Sequence, residues 1–122
     1  MVKKHTNMSF IATANKGFGI TFQNGFGVSV QWGTMNYCEK KNLGADSDEE
    51  MKTKRWESRT AEIAVYNDNG FIDIGEDTVI GWLTPNEVAK IIEIVSGYQG
   101  QTMTGVSGES YIKSEIKKAN IK

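Results

Sequence analysis

Two arginines beside an indole are the residues in this sequence best suited to gripping a phosphate and stacking on a base. Arg55, Trp56 and Arg59 lie in the densely charged segment of residues 38–59, CEKKNLGADSDEEMKTKRWESR. A guanidinium forms paired hydrogen bonds with phosphate oxygens, and an indole offers a flat face to a ring or a cation. The same segment also fits a surface loop or a short solvated helix, because runs of charge usually face water.

A nucleotide ligand would need further aromatic and polar partners, and the sequence contains candidates for both. Tyr66 and Phe71 are expected to lie opposite each other across a turn, either as a cross-strand packing pair or as a stacking platform. The other candidates for ring or hydroxyl contacts are Phe18, Trp82, Asp73 and Asn86. Each of these residues is equally compatible with a structural role.

A second anion-binding element is predicted towards the carboxyl end of the chain. Gly105, Ser107, Gly108 and Ser110 precede a helical pattern, with Ser110 as the expected N-cap. Backbone N–H groups at the start of a helix can bind an anion, here a second anionic ligand. A flexible linker is the alternative interpretation of the same residues.

Residue types that carry catalysis or bind metals are scarce. His5 is the single histidine and Cys38 the single cysteine, so the sequence has no HExxH or CxxC motif. It also has no GxSxG elbow and no phosphate-binding P-loop. Acidic residues from distant segments could still converge into an acid–base pair. The sequence as a whole indicates a binding protein without metal or cofactor, and not an enzyme.

Length and charge limit the classes of partner. A chain of 122 residues is expected to form one domain, residues 1–122. With 14 basic and 15 acidic residues, it has no net field to attract DNA or an anionic membrane. No apolar run reaches the length of a secretory leader or a membrane span, and one cysteine cannot form an internal disulfide. These features predict a cytoplasmic protein.

The hairpin in residues 17–32, GFGITFQNGFGVSVQW, is the element on which we expect the sheet to be built. Its apolar residues alternate on both sides of an Asn-Gly turn. A two-residue turn would place the two apolar sets on opposite faces, whereas a loop of Gln23, Asn24 and Gly25 places them on one face. That loop requires Gly25 to be left-handed. We expect this second register, which pairs Phe22 with Phe26, Ile20 with Val28 and Phe18 with Val30.

Further strands are predicted before and after the hairpin. Residues 8–14 read as a short strand, and residues 60–83 read as a three-stranded meander. Within the meander, Val65 is expected opposite Ile72, and Ile63 opposite Ile74.

Two helices complete the prediction. Thr84, Pro85 and Glu87 form the signature of a helix start, and Gly97 is the expected stop. A second, short helix is expected within YIKSEIKKAN, near the carboxyl end. Strands joined by short turns and followed by helical patterns predict an α+β fold. In this fold a mainly antiparallel sheet of five or six strands carries one well-formed helix, and a short C-terminal helix follows.

The hairpin, the segment DNGFIDIGEDTVIGWLTPNE and the small size of the chain together resemble the phage Thoeris anti-defence proteins of the first type. The resemblance extends over essentially the whole chain and is not carried by one compact motif. It implies a sponge, a protein that binds and sequesters glycocyclic ADP-ribose, the signal of TIR-domain defence enzymes, without cleaving it. It also implies a homodimer that can associate into a hexamer, with the signal held at the dimer interface. Separate sites for cyclic oligonucleotides are implied as well.

Two other classes of function fit the same residues. A small protein-binding inhibitor would use an edge strand or an apolar patch. An enzyme that degrades a nucleotide signal is the other alternative. An oligomer with two-fold symmetry is also expected, because the strands carry more large apolar groups than two short helices can cover. These groups are Phe10, Phe18, Phe22, Phe26, Trp32 and Trp82.

Overall fold

The computed structural model describes residues 8–14, 16–43, 45–100 and 107–121, in which one antiparallel sheet of six strands is accompanied by three helices. The strands are β1 (Ser9–Thr13), β2 (Gly17–Thr21), β3 (Gly27–Gln31), β4 (Ala61–Asn67), β5 (Gly70–Phe71) and β6 (Val79–Leu83). The helices are α1 (Ala45–Thr53), α2 (Pro85–Ser96) and α3 (Gly108–Lys118). The predicted α+β class is confirmed. None of the helices in these ranges has the length and apolar character needed to cross a membrane.

The hairpin has the register expected for a three-residue loop. Gly25 adopts a left-handed φ of 89°, and its N–H donates to the carbonyl of Phe22 at 3.1 Å. The observed pairs are Phe18 with Val30, Ile20 with Val28, and Phe22 with Phe26 through a 2.8 Å hydrogen bond. Burial of one face selects this register, because a slip by one residue would move the apolar set to the other face.

The meander differs from the prediction at its second half. Tyr66 pairs with Phe71, and the N–H of Ile72 donates to the carbonyl of Val65 at 2.9 Å, as expected. A turn closed by a hydrogen bond from Ile74 to Asp77 then takes the chain out of the sheet. Ile63 therefore pairs with Ile80 of β6, and the predicted pairing of Ile63 with Ile74 is wrong. Strand β4 thus has β3 along one edge and both β5 and β6 along the other.

Helix α2 begins and ends where the sequence predicts. The Thr84 hydroxyl accepts from the backbone of Glu87, and the Glu87 carboxylate accepts from the backbone N–H of Thr84 at 2.9 Å. Gly97 is the C-cap. Val88, Ile91 and Val95 form the buried stripe of this helix, and they pack into the main core with the sheet residues.

Helix α3 starts three residues earlier than expected. Ser107 is its N-cap, in an extended conformation, and its Oγ accepts from the N–H of Ser110 at 3.1 Å. The prediction of Ser110 as the cap is therefore wrong, because this residue lies in the first helical turn. Ile112 and Ile116 form the buried stripe of this helix.

The two faces of the sheet are chemically different. The inner face consists of Phe18, Ile20, Val28, Val30, Ile63 and Val65, and α2 lies over it at β3, β4 and β6. The outer face consists of Gly19, Gly27, Ser29, Gln31, Glu62 and Tyr66. Strand β1 lies at one end of the strand order, and its inner-face residue Phe10 is 87% exposed.

Candidate functional site

A cleft of about 320 Å³ opens on the inner face, between the sheet and one side of α2. It joins residues from the hairpin, from the segment that precedes β4, and from α2, which are far apart in sequence. Its lining combines two aromatic rings, two hydroxyls, one guanidinium and an apolar wall. These residues are Phe18, Val30, Trp32, Ser58, Arg59, Thr60, Ala61, Leu83, Pro85, Val88, Ala89 and Ile92.

The floor of this inner-face cleft is aromatic. The rings of Phe18 and Trp32 meet edge to face, with centroids 6.2 Å apart and planes at 68°. The backbone of Trp32 is held from two sides, because its N–H donates to Lys16 at 2.7 Å and its carbonyl accepts from Trp56 Nε1 at 2.9 Å. Trp56 therefore positions the floor from behind, with Lys40 Nζ 5.6 Å from the centre of its ring. A preorganised aromatic surface of this kind can receive a flat heterocycle.

Arg59 provides the positive charge at the rim of the cleft. Its side chain is 91% exposed, and its Nε lies 3.9 Å from a carboxylate oxygen of Glu39. The Glu39 carboxylate also accepts from the Arg59 backbone N–H at 3.0 Å, so the position of the chain is fixed while the guanidinium is only loosely engaged. Such an exposed ion pair contributes little energy. An anion in the cleft can therefore compete for the guanidinium.

The predicted arginine–tryptophan cluster is only partly brought together. Arg59 lines the cleft and Trp56 supports its floor, whereas Arg55 is outside the lining. Arg55 is 83% exposed and pairs with Glu57 at 3.0 Å. Asn86 lies exposed in the first turn of α2, next to the lining residue Pro85.

Three other predicted residues belong to the outer side of the sheet. Tyr66 and Phe71 meet edge to face at 6.2 Å and 87°. Trp82 packs on Tyr37, whose ring centre is 5.5 Å away and whose N–H donates to the outer-face carboxylate of Glu62. Asp73 is exposed in the loop between β5 and β6. None of these residues lines the inner-face cleft with Phe18.

Of the predicted second anion site, the structure describes Ser107, Gly108 and Ser110, at the start of α3. Gly105 lies outside the described residues. Ser107 and Ser110 are engaged with each other, through the capping bond and a 3.0 Å contact of their hydroxyls. Gly108 packs tightly against Phe26 and Tyr98, since a Cβ on it would lie 3.0 Å from a ring atom of Phe26 and 3.1 Å from the hydroxyl oxygen of Tyr98.

Two other clefts are present and are less suited to a nucleotide. One, of about 370 Å³, lies between α2 and α3, and its lysines are already paired, Lys90 with Glu93 at 3.4 Å and Lys118 with Glu115 at 3.0 Å. The other, of about 700 Å³, lies between α3 and residues 74–81. Of the described residues that line it, none is aromatic, and Glu76 and Asp77 share the lining with its two lysines.

Sequence reasoning missed the role of Trp32 in the floor and of Ser58 and Thr60 in the wall. For Trp32 a signal existed, because the alternation of the hairpin puts it on the same face as Phe18. For Ser58 and Thr60 none existed, because they reach the cleft only through the path of the chain into β4.

The described part of the chain contains no group of three His, Cys, Asp or Glu side chains that could hold a metal ion. Comparison with protein-family models, with curated proteins and with solved structures found no match.

Proposed function

We propose that this protein is an anti-defence sponge that sequesters glycocyclic ADP-ribose without cleaving it, in the cytoplasm of a host cell that uses Thoeris immunity. The inner-face cleft, which sets the Phe18 and Trp32 rings beside Arg59, is the observation that carries the proposal. The resemblance of the sequence supplies the identity of the ligand. Aromatic, cationic and hydroxyl groups at one site are the complement that an adenine, a pyrophosphate and two riboses require.

The adenine is assigned to the aromatic floor. Phe18 and Trp32 offer ring surface, and Ala89 and Ile92 of α2 form an apolar wall. Stacking of a base on an aromatic side chain contributes about 1–3 kcal/mol. Trp56 contributes indirectly, since its indole N–H holds the backbone of Trp32.

The pyrophosphate is assigned to Arg59. Its weak contact with Glu39, at 3.9 Å, is exchanged for charge-assisted bonds to phosphate oxygens. The ribose hydroxyls have Ser58 and Thr60 as neighbours, and their oxygens can accept hydrogen bonds. A separate cyclic oligonucleotide site stays outside this proposal, because Ser107, Gly108 and Ser110 are engaged in capping and packing.

Sequestration also requires an enclosed site. A sponge must compete with the receptor of the signal, so it needs nanomolar affinity. This corresponds to a binding free energy of about −12 kcal/mol. A cleft of about 320 Å³ that is open on one side is small for a dinucleotide-sized ligand. The proposal therefore includes a homodimer, able to associate into a hexamer, in which a second subunit closes the site.

The first experiment separates sequestration from the other two classes of function. The protein is incubated with glycocyclic ADP-ribose, freed of unbound ligand, and heated, and the released small molecules are identified by mass spectrometry. Release of intact ligand is expected. Release of a cleaved product would indicate an enzyme, and release of nothing would indicate an inhibitor that binds a protein.

The second experiment compares two exposed arginines that are four positions apart. Arg59→Ala should raise the Kd for glycocyclic ADP-ribose at least tenfold in calorimetry, because it removes the cation at the cleft rim. Arg55→Ala is the matched control, since its guanidinium is outside the lining and pairs with Glu57. Its Kd should stay within twofold of wild type. Equal effects of the two substitutions would contradict the assignment of the cleft.

A further inference from the structure

The free edge of the sheet lacks the features that usually protect such an edge. Strand β1 ends the strand order, and among the described residues no strand pairs with its other side. Residues 8–14, MSFIATA, include no charged residue and no proline. Soluble proteins normally place charges, proline or bulges on an edge strand, because its free N–H and C=O groups are a template for pairing. Here Phe10 and Ile11 are also 87% and 46% exposed, on opposite faces.

The register determines which backbone groups of β1 point outward. Phe22 and Phe26 close the hairpin with a hydrogen bond. At every second position from Phe22, at Ile20 and Phe18, the backbone groups of β2 therefore bond to β3. The residues between them bond to β1, where their partners are Ser9, Ile11 and Thr13. The N–H and C=O groups of Phe10 and Ala12 therefore point to the free edge.

We infer that β1 pairs with β1 of a second copy of this chain, antiparallel about a two-fold axis through Ile11, so that two sheets become one. In this register Phe10 exchanges backbone hydrogen bonds with Ala12 of the partner subunit, and Ala12 does so with Phe10 of the partner subunit. The outward-pointing groups of both residues are then satisfied. The pairing adds a defined interface to the homodimer that the proposed function includes, and it is tested without any ligand.

The side chains of β1 are complementary to a second copy of themselves. Each large Phe10 ring lies opposite a small Ala12 on the inner face, and the two Ile11 side chains meet on the outer face. A register centred on Ala12 would need Ala14 to be extended, but Ala14 turns the chain with a φ of 36°. A register centred on Phe10 would set the two rings directly against each other. With no charge in the strand to select a different partner, self-pairing is the best match.

The same pairing extends the apolar inner face of the sheet from one subunit to the next. Helix α2 lies over β3, β4 and β6, and the inner-face row that crosses β2 ends at Ala12 on the free edge. Phe10 of the partner subunit continues this row beyond Ala12, on the side away from Phe18. An 87% exposed ring thereby becomes part of a continuous apolar surface.

Cysteine cross-linking tests the register directly. Residues that face each other in a non-hydrogen-bonded antiparallel pair have Cα atoms about 4.5 Å apart, which suits a disulfide. Ile11→Cys should therefore give a disulfide-linked dimer on mild oxidation. Ser9→Cys is the matched control, because it lies on the same face of the same strand, yet the two copies are separated by roughly 14 Å along the strand. The native Cys38 is 1% exposed and stays in both variants.

Cross-linking of Ile11→Cys but not of Ser9→Cys supports the inference. Cross-linking of neither, or of both equally, overturns it.

A proline at the edge provides a second, independent measurement. The N–H of Ala12 points away from β2, so Ala12→Pro removes no bond within the subunit but blocks the pairing. The variant should show a lower mass than wild type in light scattering at tens of micromolar, with an unchanged far-ultraviolet circular dichroism spectrum. A wild-type protein that is monomeric, or a variant with the wild-type mass, would refute edge pairing.

Discussion

The side-chain amide of Asn24 lies 2.8 Å from the carbonyl oxygen of Val95, so the hairpin turn is bonded directly to the carboxyl end of α2. The same nitrogen donates to the carbonyl of Tyr98 at 2.8 Å, and Oδ1 accepts from the N–H of Phe26 at 2.9 Å. Asn24 thus adds a donor to one carbonyl in the last turn of α2 and to one just beyond the end of the helix. It ties the β2–β3 hairpin to the helix that forms one wall of the cleft.

Asn24→Asp should destabilise the fold more than Asn24→Ala. Either change removes two donated hydrogen bonds, at about 1–3 kcal/mol for the carbonyls left without them. The carboxylate of Asp also brings negative charge to the negative end of the helix dipole. The measurement is the free energy of unfolding in urea at pH 7. Gln23→Glu adds the same charge in the same turn and should change the free energy of unfolding by less than about 0.5 kcal/mol. A loss equal to that of Asn24→Asp would indicate a general effect of charge.

At position 82, replacement by glycine should destabilise the protein less than replacement by alanine, contrary to the usual rule for strands. Its φ of 52° lies in the left-handed region, which costs a residue with a side chain about 1–2 kcal/mol. Trp82→Ala loses the packing on Tyr37 and retains this strain, whereas Trp82→Gly loses the packing and releases the strain. We expect Trp82→Gly to unfold at a higher urea concentration than Trp82→Ala. The reverse order would mean that the backbone at residue 82 relaxes to a negative φ once the indole is gone.

Gly27 and Tyr66 should be energetically coupled. The Tyr66 ring lies across Gly27, and its hydroxyl is 2.7 Å from Thr21 Oγ1. A Cβ on Gly27 would overlap the Tyr66 ring, and the three nearest atoms that it would meet all belong to Tyr66. Gly27→Ala should therefore lower the free energy of unfolding by about 1–3 kcal/mol.

In a Tyr66→Ala background the same Gly27→Ala change should cost much less. A double-mutant cycle on unfolding free energies measures this coupling. If the losses of the two single variants simply add, the Tyr66 ring is not the cause of the destabilisation by Gly27→Ala.

The parts of the fold that were predictable are those determined by neighbouring residues. The register of the hairpin follows from alternation around Gln23, Asn24 and Gly25, and the start of α2 from its capping box. The pairing of Ile63 was not predictable, because β5 and β6 compete for the same edge of β4. The start of α3 was missed because two serines have equal capping chemistry.

The cleft itself was predictable only in part. Phe18 and Arg59 were identified by their chemistry, but the sequence does not show which aromatic residues share a site. That depends on which face of the sheet each strand residue occupies and on the path of residues 58–60 past α2. The outer-face residues Tyr66, Phe71 and Trp82 have the same ring chemistry as Phe18, and their roles in binding stay predictions.

The same substitution on the two faces, Phe18→Leu and Phe71→Leu, tests which face of the sheet holds the ligand. Phe18 forms the floor of the inner-face cleft with Trp32, whereas Phe71 is 63% exposed and lies edge-on to Tyr66 on the outer side. Phe18→Leu keeps an apolar side chain but removes the stacking surface, so it should raise the Kd for glycocyclic ADP-ribose at least tenfold in calorimetry. That factor corresponds to about 1.4 kcal/mol, within the range of one stacked base. Phe71→Leu is the same chemical change on the opposite face and should leave the Kd within twofold. If Phe71→Leu weakens binding and Phe18→Leu does not, the Tyr66–Phe71 pair is the stacking platform and the ligand belongs to the outer face.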